Sequence, residues 1–341
     1  LITEIAMKNL ATFSKAGKTF TGAGWDTLIS EVQKSDFVLI GEDHLTNEIP
    51  FFVSAITSKV KFDNFFCEID PYSAKIIESK IKNLSDEQLK KYVADFGNVF
   101  SFYSLEPEFE LMKQLVKSNT TIYGTDQILM IADRLICSEL KKTTKNAEAK
   151  IIYESIEANS KNHFAEFLKD QGKPMYMLTD DFEKQVTKLQ SLNVSKEEKE
   201  IIERLELTAK IYKEQNHHLR IQLMKNQLLQ VNSEWQSKKN LFKFGAVHLA
   251  KGESLFKIYD IGNLVNNIAD SRYKSSLYIL IVGKSGFQGS PFKGFPENPI
   301  DENSDDLKPL KPLFNIVKGE QWYCFNMQPL RKAAENGEAV V

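Results

Sequence analysis

The chain has 341 residues, with 44 Lys plus Arg, 46 Asp plus Glu and 42% hydrophobic residues, enough apolar material for one large core or two smaller ones. A formal net charge of −2 leaves no global basic field for nucleic acid or an anionic membrane, and no apolar run approaches the roughly 18 residues that span a bilayer. Three cysteines, Cys67, Cys137 and Cys324, exclude a disulfide framework and a Cys-rich zinc site.

The first strand signal is the apolar run 37–40, followed by a helical pattern over 46–59. A second strand is expected over 65–69, then helices over 74–82, 86–96 and 108–118, the last with Phe109, Leu111, Met112 and Leu115 at helical spacing. A third strand falls at 120–123. Between Thr125 and Phe244 the only Gly and Pro are Gly172 and Pro174, so that third of the chain reads as helices over 127–142, 147–169, 178–192 and 196–237, the last broken. Strands resume at 241–247 and 276–282. The stretch 283–312 holds four Gly and five Pro and reads as a long loop, with 284–312 a candidate lid. A late strand is expected at 322–325. Strand–helix alternation implies an α/β fold: a mostly parallel central sheet with helices on both faces and an inserted helical subdomain. The expected core domain is 1–126 with 240–341, and the insertion is 127–239.

The polar residues gather at the expected strand ends. The first strand runs into Gly41-Glu42-Asp43-His44, the second ends at Glu68 and Asp70, the third leads to Asp126, and the fourth leads to Gly245-Ala246-Val247-His248. Open α/β sheets place their sites at these carboxyl ends. A His with a carboxylate partner serves as a general base, and a second His can donate to a developing oxyanion. Scarcity adds weight: the chain has five His, and five Arg among its 44 basic residues. Arg220 shares a helix face with Asn216 and Met224 at i, i+4 and i+8. An Arg among Leu and Met suits a carboxylate or a substrate anion better than a generic cation would.

Glu42, His44, Glu68, Arg220 and His248 are the candidate catalytic residues. Asp70, Asp126 and Glu48 are candidate substrate contacts, although Asp is also common at helix starts and Glu48 suits a solvated first turn. The same residue types bind divalent metals, and the set for one is His44, Glu68 and His248. His217 and His218 look like a ligand pair, but adjacent helical residues point about 100° apart.

The segments VLIGEDHLTNEIPFF, FFCEID, YGTDQ, RIQLM and KFGAVHLAKG together resemble the erythromycin-esterase-like superfamily, which includes haem-uptake proteins and Tiki-type metalloproteases. The matches are Gly41, Glu42, His44, Glu68, Arg220 and His248. Esterase-like members carry one more residue between the Glu and the first His, and the late Gly245-x-x-His248 is closer to the Tiki-type pattern. The resemblance implies a metal-free hydrolase in which His44, oriented by Glu68 or Glu42, activates water against an ester or lactone, with His248 and Arg220 on the substrate or oxyanion. Its alternatives are a divalent-metal-dependent Tiki-type hydrolase and a haem- or ligand-binding protein without catalysis. The expected partner is a small molecule, with no nucleic acid and no transmembrane segment. A removed signal before Leu1 would favour a bacterial cell envelope or periplasm.

Overall fold

The computed structural model describes residues 1–292, 295–305 and 307–338. After a short helix (Ile2–Lys8) the chain forms an antiparallel hairpin of β1 (Leu10–Ala16) and β2 (Thr19–Thr21), turned at Gly17 with φ +63°. The strands β3 (Phe37–Glu42), β4 (Asn64–Cys67), β5 (Thr121–Gly124), β6 (Asn240–Gly245) and β7 (Ser276–Leu280) form one parallel sheet in the order β5-β4-β6-β3-β7. Two short strands, β8 (Phe287–Gln288) and β9 (Asn298–Pro299), pair within the expected loop. The last strand, β10 (Trp322–Phe325), pairs antiparallel with β1.

The three central strands are buried along their whole length, which is why they read as apolar runs rather than alternating ones. Alternate residues feed two cores. Val38, Ile40, Phe65 and Leu241 face one layer; Phe37, Leu39, Phe66, Phe242 and Phe244 face the other, with Met224, Trp235 and Val265 from covering helices. The fold is α/β with a five-stranded parallel sheet and helices on both faces, as expected. Among the described residues, no helix is long and apolar enough to cross a membrane.

The late strand forms at 322–325 as expected and lies outside the parallel sheet, where the N-terminal hairpin supplies its edge: Leu10 pairs with Phe325 and Phe13 with Trp322. Aromatic packing fastens this small sheet to the helix Glu48–Thr57, with Trp322 stacked on Phe52 at 5.4 Å between ring centres. The helix expected from residue 127 begins at Asp133 instead. Residues 127–132 are irregular: Gln127 N donates to Asp126 Oδ1 (2.7 Å) and Ile128 N to Thr208 Oγ1 (3.3 Å) of a later helix. The long pattern at 196–237 breaks into helices Lys196–Glu214, His217–Gln230 and Asn232–Trp235. The first break falls at Gln215, left-handed at φ 50°, after which Asn216 Oδ1 accepts from Leu219 N.

Asp133 is wholly buried. Its Oδ1 accepts from Ser160 Oγ (2.5 Å) and Arg134 N (2.8 Å), while its Oδ2 has no hydrogen-bond partner among the described residues. Burial pushes its carboxyl up to about 7, against these hydrogen bonds. A carboxyl raised on folding stabilises the protein below its unfolded value near 3.9, and that contribution is lost as pH rises to the folded value. Asp133→Asn should therefore melt level with the parent near pH 4 and a few degrees higher at pH 8. A thermal-shift series showing the variant lower at pH 8 would contradict this reading.

Candidate active site

β6 lies between β3 and β4, so the residues just beyond those two strands meet over its carboxyl end. Glu42 of β3 pairs in register with Gly245, the last residue of β6. His44, two residues past β3, and Glu68, one past β4, come together there, with His44 Nε2 3.3 Å from Glu68 Oε2. Gly245 permits this approach. A Cβ on it would stand 2.8 Å from His44 Nε2 and 3.6 Å from Glu68 Oε2. Its N–H donates to Glu68 Oε2 at 2.9 Å. Gly245→Ala should displace the His44 ring while leaving the strand paired. The expected result is strongly reduced turnover with a melting temperature within a few degrees of the parent.

Beneath this pair lies a fully buried layer. Lys243 of β6 sends its Nζ to Glu42 Oε2 and to Glu108 Oε1, each at 2.7 Å. Burial works against the lysine cation, but Glu108 and Glu42 hold its pKa above the ordinary value. Burial raises Glu108 despite Lys243, whereas Lys243 and His44 overcome burial at Glu42 and lower it. Glu42 Oε1 then reaches His44 Nδ1 at 3.1 Å. The His44 ring stacks on Phe102, with ring centres 3.9 Å apart and planes 9° apart. Both nitrogens of His44 thus face carboxylates. Burial disfavours its cation, but Glu68 and Glu42 together raise its pKa to about 10.

Arg220 closes the other side. Its Nε and Nη2 grip Asp126 Oδ1 and Oδ2 at 2.8 and 2.7 Å, and Nη2 also donates to Glu68 Oε1 at 2.6 Å. The remaining arm, Nη1, lies 3.5 Å from His248 Nε2. His248 Nε2 is also 3.5 Å from Glu68 Oε1, and its Nδ1 is 2.9 Å from Asp260 Oδ2. Burial opposes charge on His248 and so does Arg220, yet Glu68 and Asp260 raise its pKa. Glu68 is held well below the usual carboxylate range, because His44, His248 and Arg220 outweigh its burial. The resulting chain of charges runs Glu108–Lys243–Glu42–His44–Glu68–Arg220–Asp126, with His248 and Asp260 beside it.

The structure therefore brings together Glu42, His44, Glu68, Asp126, Arg220 and His248. It does not bring in the other two expected contacts. Asp70 spends its Oδ1 on Tyr72 N and Ser73 N, capping the helix Pro71–Asn83, and Glu48 is exposed in the first turn of its helix. Lys243, Glu108, Phe102 and Asp260 were not singled out from the sequence. Lys243 left a signal, a charge between two Phe in a strand. Glu108 looks like an ordinary first-turn helix acid, and Asp260 like the helix cap that it also is, with Oδ1 accepting from Ile261 N. Part of the expected lid lies next to His44: Gly289 N donates to Leu45 O (2.9 Å) and Gln288 Nε2 to His44 O (3.4 Å). Phe292 packs against Phe164 of the helix Ala147–Lys169. Residues 293, 294 and 306 of that loop lie outside the described residues.

The set expected for a metal, His44, Glu68 and His248, is a poor cation site as arranged. Both Glu68 oxygens are engaged, one of them by the permanently charged Arg220. Among the described residues, the three side chains whose donor atoms all fall within 4.8 Å of one another are His217, His248 and Asp260.

No family model matches the sequence, and no curated protein matches it. Solved structures do. A mutant of the erythromycin esterase EreC in its open conformation is 14% identical over 89% of this chain and 86% of its own, with a TM-score of 0.56. A Bacillus cereus protein is 12% identical over 89% of this chain and 80% of its own, with a TM-score of 0.51. ChaN of Campylobacter jejuni, which binds haem cofacially, is 14% identical over 77% of this chain and 88% of its own, but its TM-score of 0.36 carries no argument. The chain shares the fold of the first two, and that fold is the one its motifs suggested.

Proposed function

We propose that the protein hydrolyses an ester or lactone, with His44 transferring the proton of the attacking water. One observation carries this reading. Within the charged cluster His44 is the most exposed acid–base group among the described residues, its side chain 28% exposed against 12% for Asp126, 6% for Glu68 and 4% for Glu42. The preference for an ester over other electrophiles rests on the resemblance of the motifs.

As a neutral imidazole, His44 takes a proton from water through Nε2 while the water oxygen attacks the carbonyl carbon. The carbonyl oxygen gains charge and is met by Arg220 Nη1 and His248 Nε2, neighbouring donors on one side of Glu68. Collapse of the tetrahedral intermediate breaks the bond to the alcohol, and the leaving oxygen takes the proton back from His44. Glu42, braced by Lys243, keeps the ring in place throughout. A pH-stat assay over a panel of aryl esters and macrocyclic lactones tests the reading. Turnover of at least one, lost in His44→Ala, is expected. A panel with no turnover, or a fully active variant, rejects it.

A further inference from the structure

His217 is used by none of this chemistry. It begins the helix His217–Gln230, its Nε2 is buried without a hydrogen-bond partner among the described residues, and its ring centre lies 5.7 Å from that of His248. His248 presents two different edges. Nε2 faces Arg220 and Glu68, while Nδ1 faces Asp260 Oδ2. Asp260 is wholly buried and uses Oδ1 to cap its helix, which leaves Oδ2 to face His248.

The geometry points to a divalent transition-metal site, of the zinc class, formed by His217, His248 and Asp260. Their donor atoms already lie within 4.8 Å of one another. Two imidazoles and one carboxylate make a three-ligand set that leaves a position open for water or substrate. An ion held between Asp260 and His248 engages the Nδ1 edge and displaces the hydrogen shared there, which leaves as a proton. The Nε2–H then points to Glu68 Oε1, an outer carboxylate that fixes the tautomer of the ligating ring. Arg220 stands at that same far edge, with the imidazole ring between its charge and the ion. Entry runs past Phe256, which is half exposed and packs edge-on against His217 with ring centres 4.6 Å apart.

This inference is read by binding and stands apart from the hydrolase reading, which is read by turnover of esters in chelator-stripped protein. Tag-free protein is stripped with a chelator, dialysed, and titrated with Zn²⁺ by calorimetry and with Co²⁺ by visible absorption. The expected result is one ion per chain with Co²⁺ bands of a low-coordinate site. His217→Ala and His217→Gln should weaken binding by more than the roughly 10–100-fold that loss of an outer partner costs. His217 is only partly buried, and circular dichroism checks that both variants fold. His218→Ala, altering an exposed neighbour that points about 100° away on the helix, should bind as the parent does. Absence of binding at micromolar metal overturns the inference. So does binding that survives both His217 changes, or binding that is lost in His44→Ala instead.

Discussion

Lys243→Met should cost about 3–5 kcal/mol of folding stability, the usual range when one partner of a buried ion pair is removed. The lysine side chain is wholly buried on the sheet, and its ammonium lies 2.7 Å from two carboxylates, those of Glu42 and Glu108. Methionine fills a similar volume, so packing is nearly conserved and the loss is electrostatic. Two buried acids then face each other without a cation. Burial already raises Glu108 with the lysine present. Without it both carboxyls rise further, and an acid raised on folding loses stability as pH increases. The variant should therefore fall short of the parent by more at pH 8 than at pH 5. Lys243→Met combined with Glu108→Gln should recover part of the loss, because one buried charge disappears with its partner. Urea unfolding of the three proteins at both pH values measures this. A single-variant loss below about 1 kcal/mol would mean that the layer is hydrated and the ion pairs are weak.

The legible parts of the fold were those whose physics is local. Strands β3, β4 and β6 are buried on both faces, so Phe37–Ile40 and Phe65–Cys67 stand out without knowledge of their neighbours. Their carboxyl ends follow from the parallel arrangement, and with them Glu42, His44, Glu68 and His248. Arg220 was legible because guanidinium is scarce in a lysine-rich chain. The illegible parts depend on distant partners. β1 alternates too weakly to announce a strand, and its edge partner β10 lies at the other end of the chain. Glu108 sits on a helix where most acids are solvated, and only the fold turns it toward Lys243. Asp70 and Asp126 follow similar strand ends, yet one caps a helix and the other grips Arg220. Residue type at a strand end did not separate those fates, because the difference is where the next helix begins.

His44→Ala should lower kcat/KM by about 10²–10⁴-fold, the range for loss of a general acid–base group, measured on protein that circular dichroism shows to be folded. Some stability is lost as well, because buried Glu42 and Glu68 lose the imidazolium that both face, although the ring itself is partly exposed and stacks on Phe102. The pH profile carries more information than the size of the drop. Glu68 and Glu42 outweigh burial and raise the His44 pKa to about 10, so the ring is an imidazolium at neutral pH. A base must first give up that proton. The kcat/KM of the parent should then rise about tenfold per pH unit from pH 6 and level off near pH 10. Glu42→Gln removes one of the two anions that hold the proton, so its profile should level off at a lower pH. An imidazolium acting as an acid or as a donor to the oxyanion gives the opposite curve, flat through neutral pH and falling above about pH 10. Between these profiles the role of His44 is decided by the direction of a slope, independently of which ester the cleft accepts.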